Sequence, residues 1–448
     1  MRCPVVARQS FSVSIMPCFA NSAIMAFFQS GSESISTPSM SKIIAFGKSK
    51  LFIILFNTYK YTLCIFHYRK YLCKVIFNFS FSLFETCIFG LGVILWLLLI
   101  LHLFRMHRII ATKPPTFNTI PLSVIICARN ADTHLTEFLP KVLNQQYPKF
   151  EVIVVNDCSY DTTEHVLDAY QKIFPHLRYT TIKEDEYYKH GKKFAVLVGI
   201  KAAQYEHLVF TDADCYPHTD TWLDEVAASF GQEHAIVMGY GAYEKQKGLL
   251  NALIRWDTFY NAVFFLSNAH RGKAISGVGR NMGYLKSLFY KEKGFSKHYH
   301  IVSGDDDLFI NHAAPKCKSA IYTNSNSITY SIAKTTFWSW TLQKARHLTT
   351  APYYTKSSKI KLGYHFVLLY GFYGFIAAAC TFYILLPWAL TIWFVKSVAH
   401  FFIMRRASKQ LLEQDLNYKF LYTEPLWLLL LPWFKIQSLR FKPEFWMR

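Results

Sequence analysis

The sequence predicts an α/β domain built on a parallel sheet and flanked by membrane-spanning helices. Three observations carry this. Apolar, β-branched runs alternate with helically spaced ones between residues 120 and 215. Two long stretches without a charged residue bracket that region. The chain also combines 52% hydrophobic residues with only 17% charged ones, where a soluble protein carries about 25%. Lys+Arg number 49 against 29 Asp+Glu, a net charge of +20. A disordered polyelectrolyte needs low hydrophobicity and is excluded. A soluble nucleic-acid binder presents a contiguous basic face on a polar background. Here the cations are dispersed and flank apolar runs, so membrane lipids are expected partners and nucleic acid is not. The ten cysteines contain no C-x-x-C pair, which gives no sign of a zinc cluster or a dithiol redox site.

Residues 1–80 combine a Ser-rich stretch with scattered cations, and Arg8 interrupts any signal-peptide profile. They are left as an unassigned extension. A transmembrane helix is expected over 84–106. Its uncharged part, Thr86 to Phe104, spans about 28 Å at 1.5 Å per residue, close to the hydrocarbon core. Arg105, His107, Arg108, Lys113 and Pro114-Pro115 follow as a basic stop and a helix-breaking exit. Ser123 to Cys127 reads as a strand ending at Ala128-Arg129-Asn130, and Leu135 to Leu143 as a helix. A second strand, Glu151 to Val155, ends at Asn156-Asp157 and leads to a helix over Thr163 to Ile173. A helix over Lys193 to Gln204 precedes a third strand, Leu208 to Phe210, which ends at Thr211-Asp212-Ala213-Asp214. Strand and helix in alternation mean parallel pairing, and such sheets bind ligands outside the carboxyl ends of their strands.

Leu362 to Val395 is uncharged and too long for one span. Two transmembrane helices are expected over 362–406, with Pro387 near the turn. Lys396 and His400 interrupt the second, and Lys396 fits there only by snorkelling to an interface. Beyond them, 407–448 reads as an amphipathic helix over Lys409 to Tyr422, an interfacial segment at 426–434, and a basic tail on anionic headgroups. The basic flanks at 105–113 and 405–409 fall on one side. By the positive-inside rule the 116–360 domain is cytoplasmic in a multi-pass plasma-membrane protein.

The strand ends carry the chemistry. Asp157 closes the second strand, and Asp212 and Asp214 follow the third. Two carboxylates at i and i+2 suit a hard divalent cation that keeps positions open for phosphate oxygens. His190-Gly191-Lys192-Lys193 places cations at a helix start, which also favours an anion. Phe337, Trp338, Trp340, Tyr353 and Tyr354 read either as an interfacial aromatic belt or as a platform for sugar rings. Phe259, Tyr260 and Phe264-Phe265, at helical spacing, read as core or membrane-facing.

Taken in order, P-L-S-V-I-I-C-A-R-N (121–130), V-V-N-D-C-S-Y-D-T-T (154–163), H-G-K-K (190–193) and F-T-D-A-D (210–214) resemble the successive signatures of family 2 glycosyltransferases. S-G-V-G-R-N-M-G-Y (276–284) resembles that family's glycine-rich acceptor-side segment, and S-G-D-D-D-L-F (303–309) its acidic motif. Q-K-A-R-H (343–347) resembles the Q-x-x-R-W motif of its membrane-embedded members. The resemblance covers roughly 118–350. It implies a GT-A fold, Rossmann-like, and transfer of a sugar with inversion from a UDP- or GDP-sugar to a glycan or lipid-linked acceptor. Mg²⁺ or Mn²⁺ is implied as cofactor, held by Asp212 and Asp214. Ala128, Asn130, Asp157, Lys192, Asp212, Gln343, Arg346 and His347 would bind the donor. Gly279, Asn281 and Trp340 would bind the acceptor. Aligning the acidic motif on its leucine makes Asp305 the base; aligning on the Gly-Asp-Asp start makes it Asp306, the preferred reading. His347 stands where the family has Trp, and the large apolar ring expected of a chain-extending enzyme is missing. Single transfer to a lipid, or a catalytically inactive glycan- or nucleotide-binding relative, are the alternatives.

Overall fold

The computed structural model describes residues 40–46, 51–56, 61–67, 77–79, 83–106, 119–183, 191–231, 233–382 and 385–440. The expected basic exit at 107–115, His190 and the tail beyond Arg440 lie outside the described residues. By contacts the chain divides into two units, residues 1–94 with 375–391, and residues 95–374 with 392–448.

In the first unit, strands Met40–Phe46, Leu51–Phe56, Tyr61–His67 and Phe77–Phe79 pair antiparallel in sequence order. The sequence reading assigned them no structure. The unit also holds the start of helix α1 (Leu83–Met106). Gly92 lies where an added Cβ would stand 2.3 Å from the Phe375 ring, so only glycine permits that contact.

The second unit contains the α/β domain. Its elements are β1 (Leu122–Ala128), α2 (Asp132–Leu143), β2 (Phe150–Asp157), α3 (Thr163–Ile173), β3 (Leu177–Ile182), α4 (Lys192–Ala202) and β4 (His207–Phe210). There follow β5 (Cys215–Pro217), α5 (Trp222–Phe230), β6 (Ile236–Met238), β7 (Gly241–Tyr243), α6 (Leu249–His270), β8 (Met282–Leu285) and α7 (Lys286–Lys291). The domain closes with α8 (Asp307–Ala313), β9 (Ser319–Ile321), β10 (Thr329–Ser331) and α9 (Phe337–Leu348). The main sheet runs β9-β6-β8-β4-β1-β2-β3. The β4-β1-β2-β3 half is parallel throughout, with Val124 opposite Val152 and Val209. Every residue of β1 is buried, as expected of a strand covered on both faces. Strand β8 runs antiparallel between β4 and β6. Its N-terminal end therefore reaches the same edge as the C-terminal ends of the parallel strands. A small second sheet is ordered β7-β10-β5.

Helix α2 tolerates Pro140 because the Tyr170 hydroxyl donates to the Thr136 carbonyl (3.0 Å), the one that the missing proline N–H leaves unmatched. Phe259, Tyr260 and Phe264 on α6 are buried core residues.

Among the described residues, three helices are long and apolar enough to cross a membrane: α1, α10 (Lys356–Thr381) and α11 (Leu386–Gln410). The amphipathic helix expected over 409–422 is broken. Helix α11 stops at Gln410, Leu412 turns with φ 56°, and α12 (Leu416–Arg440) starts afresh. Helix α12 then runs through Pro425 and Pro432, where the sequence suggested a break and a separate interfacial segment. At Pro432 the freed Leu428 carbonyl accepts the Tyr370 hydroxyl at 2.8 Å. Lys396 does not snorkel. It is 1% exposed, and its ammonium donates to Glu424 Oε1 at 2.5 Å. The Tyr373 hydroxyl donates to the same oxygen at 3.1 Å. Helix α12 thus supplies the counter-charge that a lone span lacks.

Candidate active site

The sheet brings four segments to one edge: the ends of β1, β2 and β4, and the stretch before β8. The loop 304–307 joins them, because the Gly279 N–H donates to Asp306 Oδ2 at 2.8 Å. Gly304 makes that loop's turn with φ 96°, where a side chain would be strained and would meet Leu308.

Lys192 opens α4 and faces two carboxylates. Its Nζ donates to Asp212 Oδ1 at 2.6 Å and lies 3.5 Å from Asp305 Oδ2. Burial disfavours the ammonium, but Asp212 and Asp305 outweigh it and hold Lys192 well above the ordinary lysine value. Burial likewise pushes Asp212 up, and Lys192, then Arg280 and Arg346, outweigh it, so Asp212 stays ionised. Asp212, Asp214 and Cys215 bring three ligand atoms within 4.8 Å of one another. Burial and the two carboxylates keep the Cys215 thiol protonated, far above its usual range. The usable donors are therefore the aspartate oxygens, which suit a hard divalent ion and not a thiophilic one.

The three acidic-loop residues have separate surroundings. Asp305 pairs with Lys192. Asp306 caps α8, its Oδ1 accepting from the Asp307 N–H at 2.7 Å. Burial first, then the Asp305 and Asp307 charges, raise the Asp306 carboxyl to about 7. Asp307 is neither solvated nor a simple cap. Its Oδ2 accepts from Thr350 Oγ1 at 2.5 Å and from the Tyr354 hydroxyl at 2.8 Å.

Other expected site residues are placed less directly. Ala128 and Asp157 are both 0% exposed. They back the edge from inside. Asn130, at φ 48°, staples two loops: its N–H donates to Ser159 Oγ and its Oδ1 accepts from the Tyr160 N–H, each at 2.9 Å. Gln343 donates to the Tyr243 hydroxyl at 3.1 Å. Arg346 carries a buried Nε without a partner among the described residues, an N–H suited to an anion. His347 is exposed.

Two of the residues expected at the acceptor turn inward. Asn281 is fully buried and spends its whole amide internally. Nδ2 donates to the Tyr240 and Ser327 carbonyls (2.9 and 2.7 Å), and Oδ1 accepts from Trp222 Nε1 and the Tyr322 hydroxyl (3.1 and 2.8 Å). Trp340 is 1% exposed and packs edge-on against Phe434 at 4.8 Å. Phe337, Trp338 and Tyr353 are the exposed aromatics of that region.

Sequence reasoning missed Arg280 and Tyr243. The Arg280 guanidinium lies 4.2 Å from the Tyr243 ring centre, bonds to Ala242 O and Ser331 Oγ, and bears electrostatically on Asp212 and Asp214. Arg280 sits inside the quoted glycine-rich segment and could have been suspected. Tyr243 has no motif around it.

Residues 123–291 match the sequence model of the family described as Glycosyl transferase family 2. Poly(ribitol-phosphate) beta-N-acetylglucosaminyltransferase TarS of Staphylococcus aureus is 33% identical over 114 residues, 25% of this chain and 19% of TarS. The putative teichuronic acid biosynthesis glycosyltransferase TuaG of Bacillus subtilis is 31% identical over 125 residues, 27% of this chain and 46% of TuaG. The chain therefore spans less than half the length of either. Among solved structures, the mannosyltransferase PcManGT of Pyrobaculum calidifontis, in complex with GDP-Man and Mn²⁺, is similar with TM-score 0.49 and 19% identity. The match covers 74% of this chain and 96% of PcManGT.

Proposed function

We propose that the chain, whose residues 123–291 match the sequence model of family 2 glycosyl transferases, is a membrane-anchored inverting glycosyltransferase of GT-A type. It moves a sugar from a UDP- or GDP-sugar to a glycan or lipid-linked acceptor at the cytoplasmic face of the plasma membrane. The observation that carries this reading is the gathering, at one sheet edge, of Asp212 and Asp214 with ligand oxygens close together, a charged Lys192, and a separate Asp306 lifted to about 7. A base is most useful when its pKa lies near the operating pH.

In this reading Lys192 and the unmatched Arg346 N–H face the donor diphosphate. Asp306 takes the proton of the acceptor hydroxyl as that oxygen attacks the anomeric carbon. The bond from that carbon to the phosphate oxygen breaks, and its electron pair leaves with the nucleoside diphosphate. Asp212 and Asp214 would hold Mg²⁺ or Mn²⁺, which supplies positive charge against the leaving diphosphate. The alternative of a relative that binds without catalysis has no use for Asp306 lifted to about 7 beside the Asp212 and Asp214 carboxyl groups.

The test is release of nucleoside diphosphate from a panel of UDP- and GDP-sugars by the full chain, with and without Mg²⁺ or Mn²⁺. Asp214→Asn is expected to abolish metal-dependent release and metal-dependent donor binding. Turnover by this variant at the parent rate would refute the metal assignment, and no release with any donor would refute the enzyme reading.

A further inference from the structure

Helices α1 and α10 lie antiparallel, with Leu95 beside Gly371 and the His102 and His365 rings hydrogen-bonded at 2.8 Å. Helix α6 sets its Phe264 ring against both histidines, at 6.0 and 4.3 Å between ring centres. Three helices therefore meet at this pair. About one turn beyond it, at the end where α1 stops and α10 starts, each of them brings cations. Arg105 lies three residues past His102 on α1, and Lys361 four residues before His365 on α10. Arg271 and Lys273 lie in the turn that ends α6. Lys361 Nζ donates to the Lys273 carbonyl at 3.3 Å, which joins two of the three elements.

The cluster lacks counter-charge. Among the described residues, the charges that reach Lys361 are those of Lys273 and Arg271, and those that reach His102 are Arg271 and Arg105, with no carboxylate at either. At other helix junctions of the unit Arg255, Lys344 and Lys396 each meet a carboxylate. Helix ends account for two of the cations. Arg105 and Arg271 sit at helix C-termini, which favour positive charge, and Arg271 Nε donates to the Ser267 carbonyl at 3.0 Å. Lys361 is at the opposite kind of end. Helix α10 begins with Lys356, Lys359 and Lys361 and has no acidic residue in its first turn, although a helix N-terminus disfavours cations and attracts anions. Lysines and dipole thus call for the same negative charge. Apolar surface continues from the cations along the helices. Leu98, Leu101 and Arg105 share one exposed stripe of α1, and Ile360, Tyr364 and Val367 share one of α10. A soluble anion has no use for those stripes. A phospholipid has, and basic pockets between spanning helices take anionic headgroups.

We propose that the junction of α1, α6 and α10 binds one anionic phospholipid, with its headgroup phosphate on Arg105, Lys273 and Lys361 and its acyl chains along the exposed stripes. The proposal rests on the membrane-anchored reading. It is tested by native mass spectrometry of the full chain in detergent, titrated with phosphatidylglycerol and, separately, with phosphatidylcholine. The parent is expected to hold phosphatidylglycerol about tenfold or more tightly than phosphatidylcholine. Lys361→Gln should weaken that binding about fivefold, and Arg105→Gln with Lys273→Gln about thirtyfold. Arg105 and Lys273 are exposed, so a thermal midpoint near the parent's shows that the fold is kept. Arg405→Gln with Arg406→Gln removes an exposed basic pair at the end of α11 and should leave the binding unchanged. Equal binding of both lipids, unchanged binding in the junction variants, an equal loss in the Arg405 and Arg406 variant, or displacement of the lipid by inorganic phosphate would each overturn the proposal. Flotation of the parent with phosphatidylcholine vesicles reads anchoring separately. Failure to float sinks the membrane reading, whereas flotation without a preference for phosphatidylglycerol sinks the lipid site alone.

Discussion

Replacing Asp306 with Asn keeps the shape of the side chain and removes its basicity. The carboxyl is lifted from 3.8 to about 7, by burial first and then by Asp305 and Asp307. That lift is a penalty of ~4 kcal/mol on the carboxylate, which the site maintains through its own packing and charges. The group acts as a base only when deprotonated, so the parent's rate should rise with pH. About a tenth of Asp306 is ionised at pH 6 and about nine-tenths at pH 8, a roughly ninefold gain centred near 7. Asp306→Asn should lower the transfer rate by about 10²–10⁴ and flatten that limb. Asp305→Asn should retain the limb and move it to lower pH, because the Asp305 charge is the largest push on Asp306 after burial. The assay is initial rate of transfer from pH 5 to 9 at saturating donor and metal. Asp305→Asn abolishing transfer while Asp306→Asn spares it would show that Asp305 is the base.

Two further substitutions test these internal contacts. Asn281→Ala strands two buried donors and two carbonyls, so a stability loss of about 3 kcal/mol or more is expected, read from denaturant unfolding. Unchanged stability with a raised acceptor KM would restore Asn281 to acceptor binding. Lys396→Met leaves Glu424 buried without its cation, at a cost of about 3–5 kcal/mol, while Lys396→Met with Glu424→Leu should recover most of it. Thermal melting in detergent reads both, and a double variant no better than the single would show that the pair is not the unit.

The half of the domain built from alternating strands and helices was legible. Its strands are buried on both faces and read as continuous apolar runs, and helix Thr163–Ile173 appears with the bounds its spacing predicts. The remainder was not. Strands β5, β7 and β10 are three residues each, too short to show a period of two. The course of α12 through two prolines depends on a hydroxyl from a distant helix, which no local pattern signals. The site divides in the same way. Motifs located Lys192, Asp212, Asp214 and the acidic loop because strand ends fix where such residues go. They did not tell which way a motif side chain points. Asn281 and Trp340 turn inward, because four buried partners and the face of Phe434 hold them there.

Asp307 shows what the third acid of the loop contributes. Its Oδ2 holds Thr350 and Tyr354, on the chain between the helix that carries Gln343 and Arg346 and the start of α10. The neighbouring Asp306 is held from the other side by the Gly279 N–H. The base of the proposed reaction is therefore clamped between the glycine-rich segment of the sheet edge and the turn that leads into an apolar helix. The same logic recurs in Arg255, which ties the α11–α12 turn to the domain through Glu413 and Asp415. The few acidic residues of this basic chain are used twice over. In the proposed reaction Asp212, Asp214 and Asp306 carry the chemistry, while Asp307, Glu413, Asp415 and Glu424 fasten the helices to the domain and to one another. A carboxylate lost from the second group should loosen the structure, whereas one lost from the first should silence the proposed reaction with the fold intact.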